Sequence, residues 1–154
     1  MIILSHRLKA NPRRPAIKVV KEYGELPLVE CYVGQINQVF MNLLANAIDA
    51  LEESNQGKSY AQLEINPNTI TICTSLNSNQ VRVRIVDNGV GMKEEVRQKL
   101  FSPFFTTKQE GKGTGLGLSI SYQIMTEQHN GNLQCFSAPG KGAEFAIDIP
   151  LNKE

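Results

Sequence analysis

The chain has 154 residues, enough for one compact domain with a buried core, and its 41% hydrophobic and 20% charged residues are ordinary for a globular protein. A net charge of +1 excludes the electrostatic attraction by which basic proteins bind nucleic acid or anionic membranes. Three cysteines without a paired motif predict free thiols in a reducing compartment rather than disulfides or a zinc site.

The N-terminal half of the chain is predicted to form strands around one long helix. That helix covers residues 36–53, where apolar side chains recur at three- and four-residue spacing. Residues 54–68 contain Gly57 and Pro67 and predict a long loop. The other elements predicted here are a short helix or helix end over 1–10 and strands over 17–23 and 28–32.

The C-terminal half is predicted to contain two strand pairs with helices between them. The predicted elements are strands over 69–76, 81–86, 133–137 and 144–149, and helices over 93–101 and 116–129. In the strand 81–86, valine and isoleucine alternate with Arg82 and Arg84, so one face of the sheet is exposed to water. This order of elements predicts an α/β protein with helices layered on one face of a mixed sheet.

The long helix has an unusual polar stripe. Gln38, Asn42, Asn46, Asp49 and Glu53 fall within about 80° of one another, opposite the apolar face. A solvated helix surface is the ordinary explanation, but such surfaces are normally built from Glu, Lys and Gln, and asparagine is a poor helix former. Asparagine and aspartate oxygens in a row would suit a hard cation such as Mg²⁺.

Two glycine-rich segments follow. Asp87 comes directly after a strand and is followed by Gly89 and Gly91, which is either a common turn or a place where a planar ligand approaches the backbone. The run 111–117 leads into a helix, where successive backbone N–H groups can bind an anion. It is not a G-x-G-x-x-G motif, and Gly57-Lys58-Ser59 lacks the first glycine of a P-loop, so any ATP site here uses neither of those folds.

Taken together, these segments resemble the motifs of a known family. Residues 42–49, 87–91, 101–108 and 113–120 resemble the asparagine box, first glycine box, phenylalanine box and second glycine box of sensor histidine kinases, in the right order. The resemblance covers about residues 15–151, and the 103–108 sequence PFFTTK is nearest to the nitrogen-regulation subgroup. It implies the Bergerat ATP-binding fold, a two-layer α/β sandwich whose mixed sheet has about five main strands with three helices on one face.

The resemblance also implies an activity and its partners. Residues 15–154 would be the catalytic domain, which binds Mg-ATP and transfers the γ-phosphoryl group to a histidine on a separate dimerisation domain; residues 1–14 would be the remaining tail of that domain. Neither His6 nor His129 lies in a phosphoacceptor motif, so this chain alone is not expected to autophosphorylate. A response regulator would act downstream, the isolated domain would be a cytoplasmic monomer without direct membrane contact, and the parent could be membrane-anchored.

Each motif residue acquires an expected role from the resemblance. Asn46 would ligate Mg²⁺, Asn42 and Lys108 would act catalytically at the phosphates, and Asp87 would accept a hydrogen bond from the adenine amino group. Residues 102–114 would form a mobile lid, with Phe101 and Phe104 packed against the helix 116–129. The full nucleotide-binding set is Asn42, Asn46, Asp49, Asp87, Gly89, Gly91, Met92, Phe101, Phe104, Thr107, Lys108, Gly113, Thr114, Gly115, Leu116 and Gly117.

One position departs from the family pattern, and two other functions stay open. Ala143 stands where the family often has a threonine that helps to hold a water near the adenine, so that contact is in doubt. The alternatives are another Bergerat-type ATPase, such as an anti-sigma serine kinase or an ATP-driven clamp, and an interaction module without kinase activity.

Overall fold

The computed structural model describes residues 5–27, 29, 31–103 and 117–151. In chain order, their elements are α1 (Ser5–Leu8), β1 (Lys18–Tyr23), α2 (Val33–Ser54), α3 (Tyr60–Ile65), β2 (Thr69–Asn77), β3 (Gln80–Asp87), α4 (Glu94–Lys99), α5 (Gly117–Gln123), a π-helical turn (Ile124–Gln128), β4 (Asn132–Ser137) and β5 (Ala143–Pro150). The three main predicted helices and five of the six predicted strands are therefore confirmed.

The five strands form one mixed sheet in the order β1-β2-β3-β5-β4, in which only β1 and β2 run parallel. The alternation in β3 sorts its side chains to two faces. Val81, Val83 and Ile85 are buried in the core, whereas Arg82 lies on the opposite face and forms two hydrogen bonds, of 2.7 and 3.0 Å, with Asp148 of β5. The predicted wet face of this strand is thus lined by ion pairs.

Helix α2 covers the inner face of the sheet. Its buried residues are Ile36, Val39, Leu43, Leu44, Ala47, Ile48 and Leu51. They share one hydrophobic core with the inward residues of β3 and β5, with Leu100 at the end of α4, and with Ile124 and Met125 of the π-helical turn. The protein is therefore a two-layer α/β sandwich, as predicted, with one core shared by α2, the π-helical turn after α5, and Leu100 just beyond α4.

The prediction of three helices was too low, because the described residues contain five α-helices. Helix α3 lies within the segment predicted as a loop. Its start is a capping box, in which the Ser59 hydroxyl accepts from the Gln62 N–H (3.2 Å) and the Gln62 side chain accepts from the Ser59 N–H (2.8 Å). A Ser-x-x-Gln sequence is a recognised helix start, and it prevails locally over the flanking Gly57 and Pro67.

The predicted strand over 28–32 is wrong: residues 29, 31 and 32 lie outside any strand, and residues 28 and 30 are outside the described part. Tyr32 instead caps α2, and its N–H donates to Nε2 of the fully buried His129 (3.0 Å). His129 thus has a structural role between the start of α2 and the π-helical turn. Because its Nε2 accepts, the proton lies on Nδ1, which donates to the carbonyl of Ile124 (2.9 Å).

No helix in the described ranges is both long and apolar enough to cross a lipid bilayer.

Candidate functional site

The two asparagines of α2 have their side-chain amides held in place. Nδ2 of Asn42 donates to the Gly117 carbonyl (3.2 Å) and to the Ser121 hydroxyl (3.1 Å) of α5, and Nδ2 of Asn46 donates to the Asn42 carbonyl (2.8 Å). Neither Oδ1 accepts a hydrogen bond from a described residue. Two amide oxygens, one turn apart and half-buried beside the start of α5, therefore remain as ligands, which fits the needs of a hard cation.

Asp87 ends β3 as a nearly buried carboxylate, only 4% exposed. Its Oδ1 accepts from the Gly89 N–H (2.9 Å), and the Ala143 N–H also donates to the carboxylate. Burial raises the pKa of Asp87 to about 6, because the loss of hydration outweighs the two N–H donors. A perturbed carboxyl of this kind is a frequent feature of functional sites.

The loop after Asp87 packs tightly against two neighbours. A Cβ on Gly89 would lie 2.9 Å from the Ala50 carbonyl of α2, one turn beyond Asn46. Gly91 has φ +69°, and a Cβ there would lie 2.0 Å from the Ala138 carbonyl in the β4–β5 turn. These glycines are thus required by the packing of the loop itself, and they hold Asp87 beside the helix that bears the asparagines.

Ser137, at the end of β4, was missed by the sequence analysis. Its hydroxyl accepts from the Met92 N–H (3.0 Å) and donates to the Gly142 carbonyl (2.7 Å). In the same region the Gly140 N–H donates to the Val90 carbonyl (2.7 Å). Ser137 therefore links the Asp87 loop to the β4–β5 turn. Ala143 lacks the family's hydroxyl, but it contributes its backbone N–H to Asp87.

Phe101 lies directly after α4 and stacks on Tyr122 of α5, with ring centroids 5.1 Å apart and planes inclined by 22°. The predicted packing of Phe101 against this helix is therefore confirmed. Through this contact α5 is braced on the side away from Asn42, and offset stacking of this kind contributes about 0.5–1.5 kcal/mol beyond burial.

Asp49 lies on the same face of α2 but already has a cationic partner. Its Oδ1 is 2.7 Å from a guanidinium nitrogen of Arg7, and the same nitrogen lies 2.7 Å from Glu52 Oε1. Arg7 was not predicted as part of the site. The expected nucleotide contact of Asp49 stays a prediction, and any such contact would have to form beside the guanidinium.

Several predicted site residues cannot be located. Phe104, Thr107, Lys108, Gly113, Thr114, Gly115 and Leu116 lie outside the described residues, and with them most of the predicted lid. The predicted residue next to this gap, Gly117, begins α5, where a Cβ would lie 3.5 Å from Cγ of Asn42. The structure thus brings Gly117 and Asn42 together.

Three parts of the site meet around α2. Asn42 contacts the start of α5, Ala50 contacts the loop that carries Asp87, and that loop contacts the β4–β5 turn. This arrangement, on a mixed sheet covered by helices on one face, is the α/β sandwich that the resemblance to Bergerat-type ATPase domains implies. Residues 32–153 match the family model described as histidine kinase-, DNA gyrase B-, and HSP90-like ATPase, and the chain belongs to this family.

Curated relatives agree with the class predicted from the motifs. Sporulation kinase E of Bacillus subtilis (strain 168) is 34% identical over 129 residues, which cover 84% of this chain and 15% of that protein. Sensor histidine kinase ZraS of Escherichia coli (strain K12) is 33% identical over an alignment that covers 97% of this chain and 30% of that protein. The chain therefore spans less than a third of the length of these relatives.

Solved structures of histidine kinases have the same fold as this chain. The catalytic domain of histidine kinase ThkA, in a nucleotide-free form, superposes with a TM-score of 0.69 at 34% identity, covering 88% of this chain and 79% of that one. Full-length ShkA in complex with AMPPNP gives a TM-score of 0.76 at 22% identity over 99% of this chain and 28% of that one, which supports the fold alone. The predicted histidine kinase catalytic domain is confirmed.

Proposed function

We propose that this domain binds ATP together with Mg²⁺ and, within its parent protein, transfers the γ-phosphoryl group to a histidine of a dimerisation domain. Membership of the ATPase family implies ATP binding. Metal binding and phosphoryl transfer are supported by the side-chain oxygens of Asn42 and Asn46. Asn42 is held against α5 and Asn46 is held against Asn42, and neither oxygen accepts a hydrogen bond from described residues. A bound Mg²⁺ would neutralise phosphate charge during transfer.

The division of roles follows the position of each residue. Asn46 would hold the metal and Asn42 would face the phosphates, as the resemblance implies, and within the described part of the chain both amide nitrogens donate while both oxygens accept nothing. Asp87 would accept from the adenine amino group, with Gly91 and Met92 beside the base. Lys108 and the N–H groups of Gly115, Leu116 and Gly117 would contact the phosphates, as the resemblance implies.

The partners and location are part of the same proposal. Residues 1–14 would join the catalytic domain to the dimerisation domain that bears the phosphoacceptor histidine, and a response regulator would take the phosphoryl group from it. ThkA, 30% identical to this chain, has been solved in complex with the response regulator TrrA. A cytoplasmic location agrees with the three cysteines, all of which are free, and two of which are buried.

The test is a titration followed by a transfer assay, with Asn46→Ala as the variant. We expect the chain to bind Mg-ATP in calorimetry, and Asn46→Ala to weaken this binding by about tenfold or more, about 1.4 kcal/mol, because one metal ligand is lost. Binding of ADP without metal should hardly change. Asn37→Ala is the matched control, because Asn37 is an exposed asparagine about half a turn round the same helix.

The transfer assay then separates the competing functions. Added to the helical phosphoacceptor domain of the parent, the chain should produce acid-labile phosphohistidine, and alone it should produce none. Rapid ATP hydrolysis without an acceptor would favour another ATPase of the family. If the wild-type chain binds no nucleotide, it is an interaction module. Equal losses of Mg-ATP and metal-free ADP in Asn46→Ala would refute the metal role alone.

A further inference from the structure

The segment that precedes β1 is folded onto the domain. Arg14 is only 3% exposed, and it is the centre of this segment. One guanidinium nitrogen donates to the carbonyls of Lys9 (3.1 Å) and Pro15 (3.2 Å), and the other donates to the carbonyl of Arg7. The Ile17 N–H donates to the Leu8 carbonyl (2.8 Å), so residues 7–17 form a compact loop rather than a loose tail.

This loop places Arg7 on the polar face of α2. Its guanidinium lies 2.7 Å from Asp49 Oδ1 and 2.7 Å from Glu52 Oε1, while Arg14 lies 3.6 Å from the other oxygen of Glu52. The Arg7 side chain is 28% exposed and that of Asp49 is 32% exposed. A guanidinium that binds a half-buried carboxylate and also contacts an exposed one interacts more strongly than an ordinary surface ion pair.

The contact between Arg7 and Asp49 lies beside the proposed nucleotide site. Asp49 follows Asn46 by three residues and Asn42 by seven, so all three lie on one helix face at successive turns. A carboxylate there would repel the anionic phosphates of a nucleotide held by the asparagines. A cation seated on the carboxylate cancels much of that repulsion, and it also fixes the side chain in one place.

We propose that Arg7 is a positioning residue for the phosphate end of the nucleotide site and that it acts through Asp49. The affinity for a triphosphate then depends on how the segment before β1 is seated, since that segment supplies the cation. In the parent protein, this would connect the chain upstream of the catalytic domain to its nucleotide affinity. The inference rests on the proposed function, because it requires nucleotide phosphates beside α2.

The experiment compares Arg7→Ala, Arg7→Lys, Asp49→Asn and the double variant Arg7→Ala/Asp49→Asn by calorimetry with ATP, ADP and AMP in the presence of Mg²⁺. We expect Arg7→Ala to weaken ATP binding by about 3- to 10-fold at low salt, ADP binding less, and AMP binding hardly at all, because the repulsion grows with phosphate charge. High salt should reduce the effect. Arg7→Lys should recover part of the loss, and Asp49→Asn alone gives the reference affinity against which the double variant is compared.

The double variant and a control decide the mechanism. In the Asp49→Asn background, Arg7→Ala should have less effect than in the wild type, since without the Asp49 carboxylate the Arg7 guanidinium is no longer held firmly beside the phosphates. Arg13→Ala removes the same charge from an exposed position of the same segment and should leave all three affinities unchanged. Equal losses for ATP, ADP and AMP, additivity with Asp49→Asn, or the same effect from Arg13→Ala would each overturn the inference. If the wild-type chain does not bind ATP, the proposed function itself is wrong. The titration of the wild type therefore distinguishes that failure from a failure of the Arg7 inference.

Discussion

Asp87 holds a charge where the protein interior disfavours it. The carboxylate is buried at the end of β3, and its two backbone donors do not replace the water that it loses on folding. The result is a strong hydrogen-bond acceptor fixed in place before any ligand arrives. In the proposed function, binding of an adenine amino group would supply a third donor, so ligand binding would relieve a cost already present in the folded protein.

We therefore expect Asp87→Asn to make the protein more stable at pH 7.5, by about 1–2 kcal/mol, while it weakens ATP binding. The pKa of Asp87 rises from 3.8 to about 6 on folding, so between these values the folded protein retains a proton that the unfolded chain has lost. The free energy of unfolding therefore falls as the pH rises from 3.8 to about 6. Above this range, the ionised Asp87 carboxylate destabilises the folded protein by its full amount.

Urea unfolding at several pH values measures this effect. The advantage of Asp87→Asn over the wild type should be largest at pH 7.5, should shrink as the pH falls below about 6, and should disappear below pH 3.8, where the unfolded wild-type chain is also protonated. An advantage that does not vary with pH would mean that Asp87 is not ionised at a cost in the folded protein.

At the scale of single residues, the sequence predicted those site residues that belong to local motifs. Asn42, Asn46 and Asp87 each lie in a short pattern whose spacing is visible in the chain. Arg7 and Ser137 were missed because their significance depends on partners 42 and 45 residues away. An isolated arginine or serine has no local signal of such a contact, and only the folded chain reveals it.

Among the secondary-structure elements, the Asp87 loop depends on its connection to the end of β4. The Ser137 hydroxyl is the side-chain part of that connection, which otherwise consists of backbone contacts. The adenine-binding end of the proposed site is formed by this loop, whereas the phosphate end is formed by α2 and α5. Damage to the connection should therefore affect recognition of the base.

We expect Ser137→Ala to destabilise the protein by about 1–3 kcal/mol, because the Met92 N–H loses its acceptor. Binding of ATP, ADP and AMP should weaken by the same factor, since all three share the adenine. Thermal unfolding and calorimetry measure the two effects. Ser75→Ala, on the outer face of β2, is the control and should alter neither; a Ser137→Ala variant selective against ATP would contradict this assignment.

Elements with a strong periodic pattern were predicted well, and the failures have local physical causes. The helix over 36–53 and the alternating strand over 81–86 were correct because each buries one face against the other. The predicted strand over 28–32 fails because the Tyr32 N–H binds His129, which is 97 residues away. The short helix α3 was missed although its capping box is visible in the sequence, since the flanking glycine and proline were given more weight.

For the whole molecule, the second face of the sheet contributes stability without taking part in the site. The Asp148 side chain is only 5% exposed there, and Arg82 binds both of its oxygens. Arg84 and Glu144 form a looser pair of 3.3 Å on the same face, with the arginine side chain 41% exposed. Two ion pairs on one surface thus differ chiefly in burial and geometry.

The difference in burial predicts that removing Arg82 and removing Arg84 lower the free energy of unfolding by different amounts. Arg82→Ala should destabilise the protein by about 2–3 kcal/mol, because it leaves the buried Asp148 carboxylate without its cation. Arg84→Ala should cost less than about 1 kcal/mol, as exposed pairs do. Urea unfolding gives both values. Nucleotide affinity of the folded variants should equal that of the wild type, and similar costs for the two variants would mean that burial does not set the strength of these pairs.

The close contacts of two glycines affect how inactive members of the family can be recognised. Gly91 and Gly142 both have positive φ, and a Cβ would lie 2.0 Å from the Ala138 carbonyl or 2.1 Å from the Asp87 carbonyl, respectively. These contacts are with the protein's own backbone, so a pseudokinase with this fold would still need both glycines in order to fold. Among the described residues, no comparable packing contact requires the side-chain oxygen of Asn46. Loss of that asparagine, rather than erosion of the glycines, should therefore be the first sign that such a domain has ceased to use ATP.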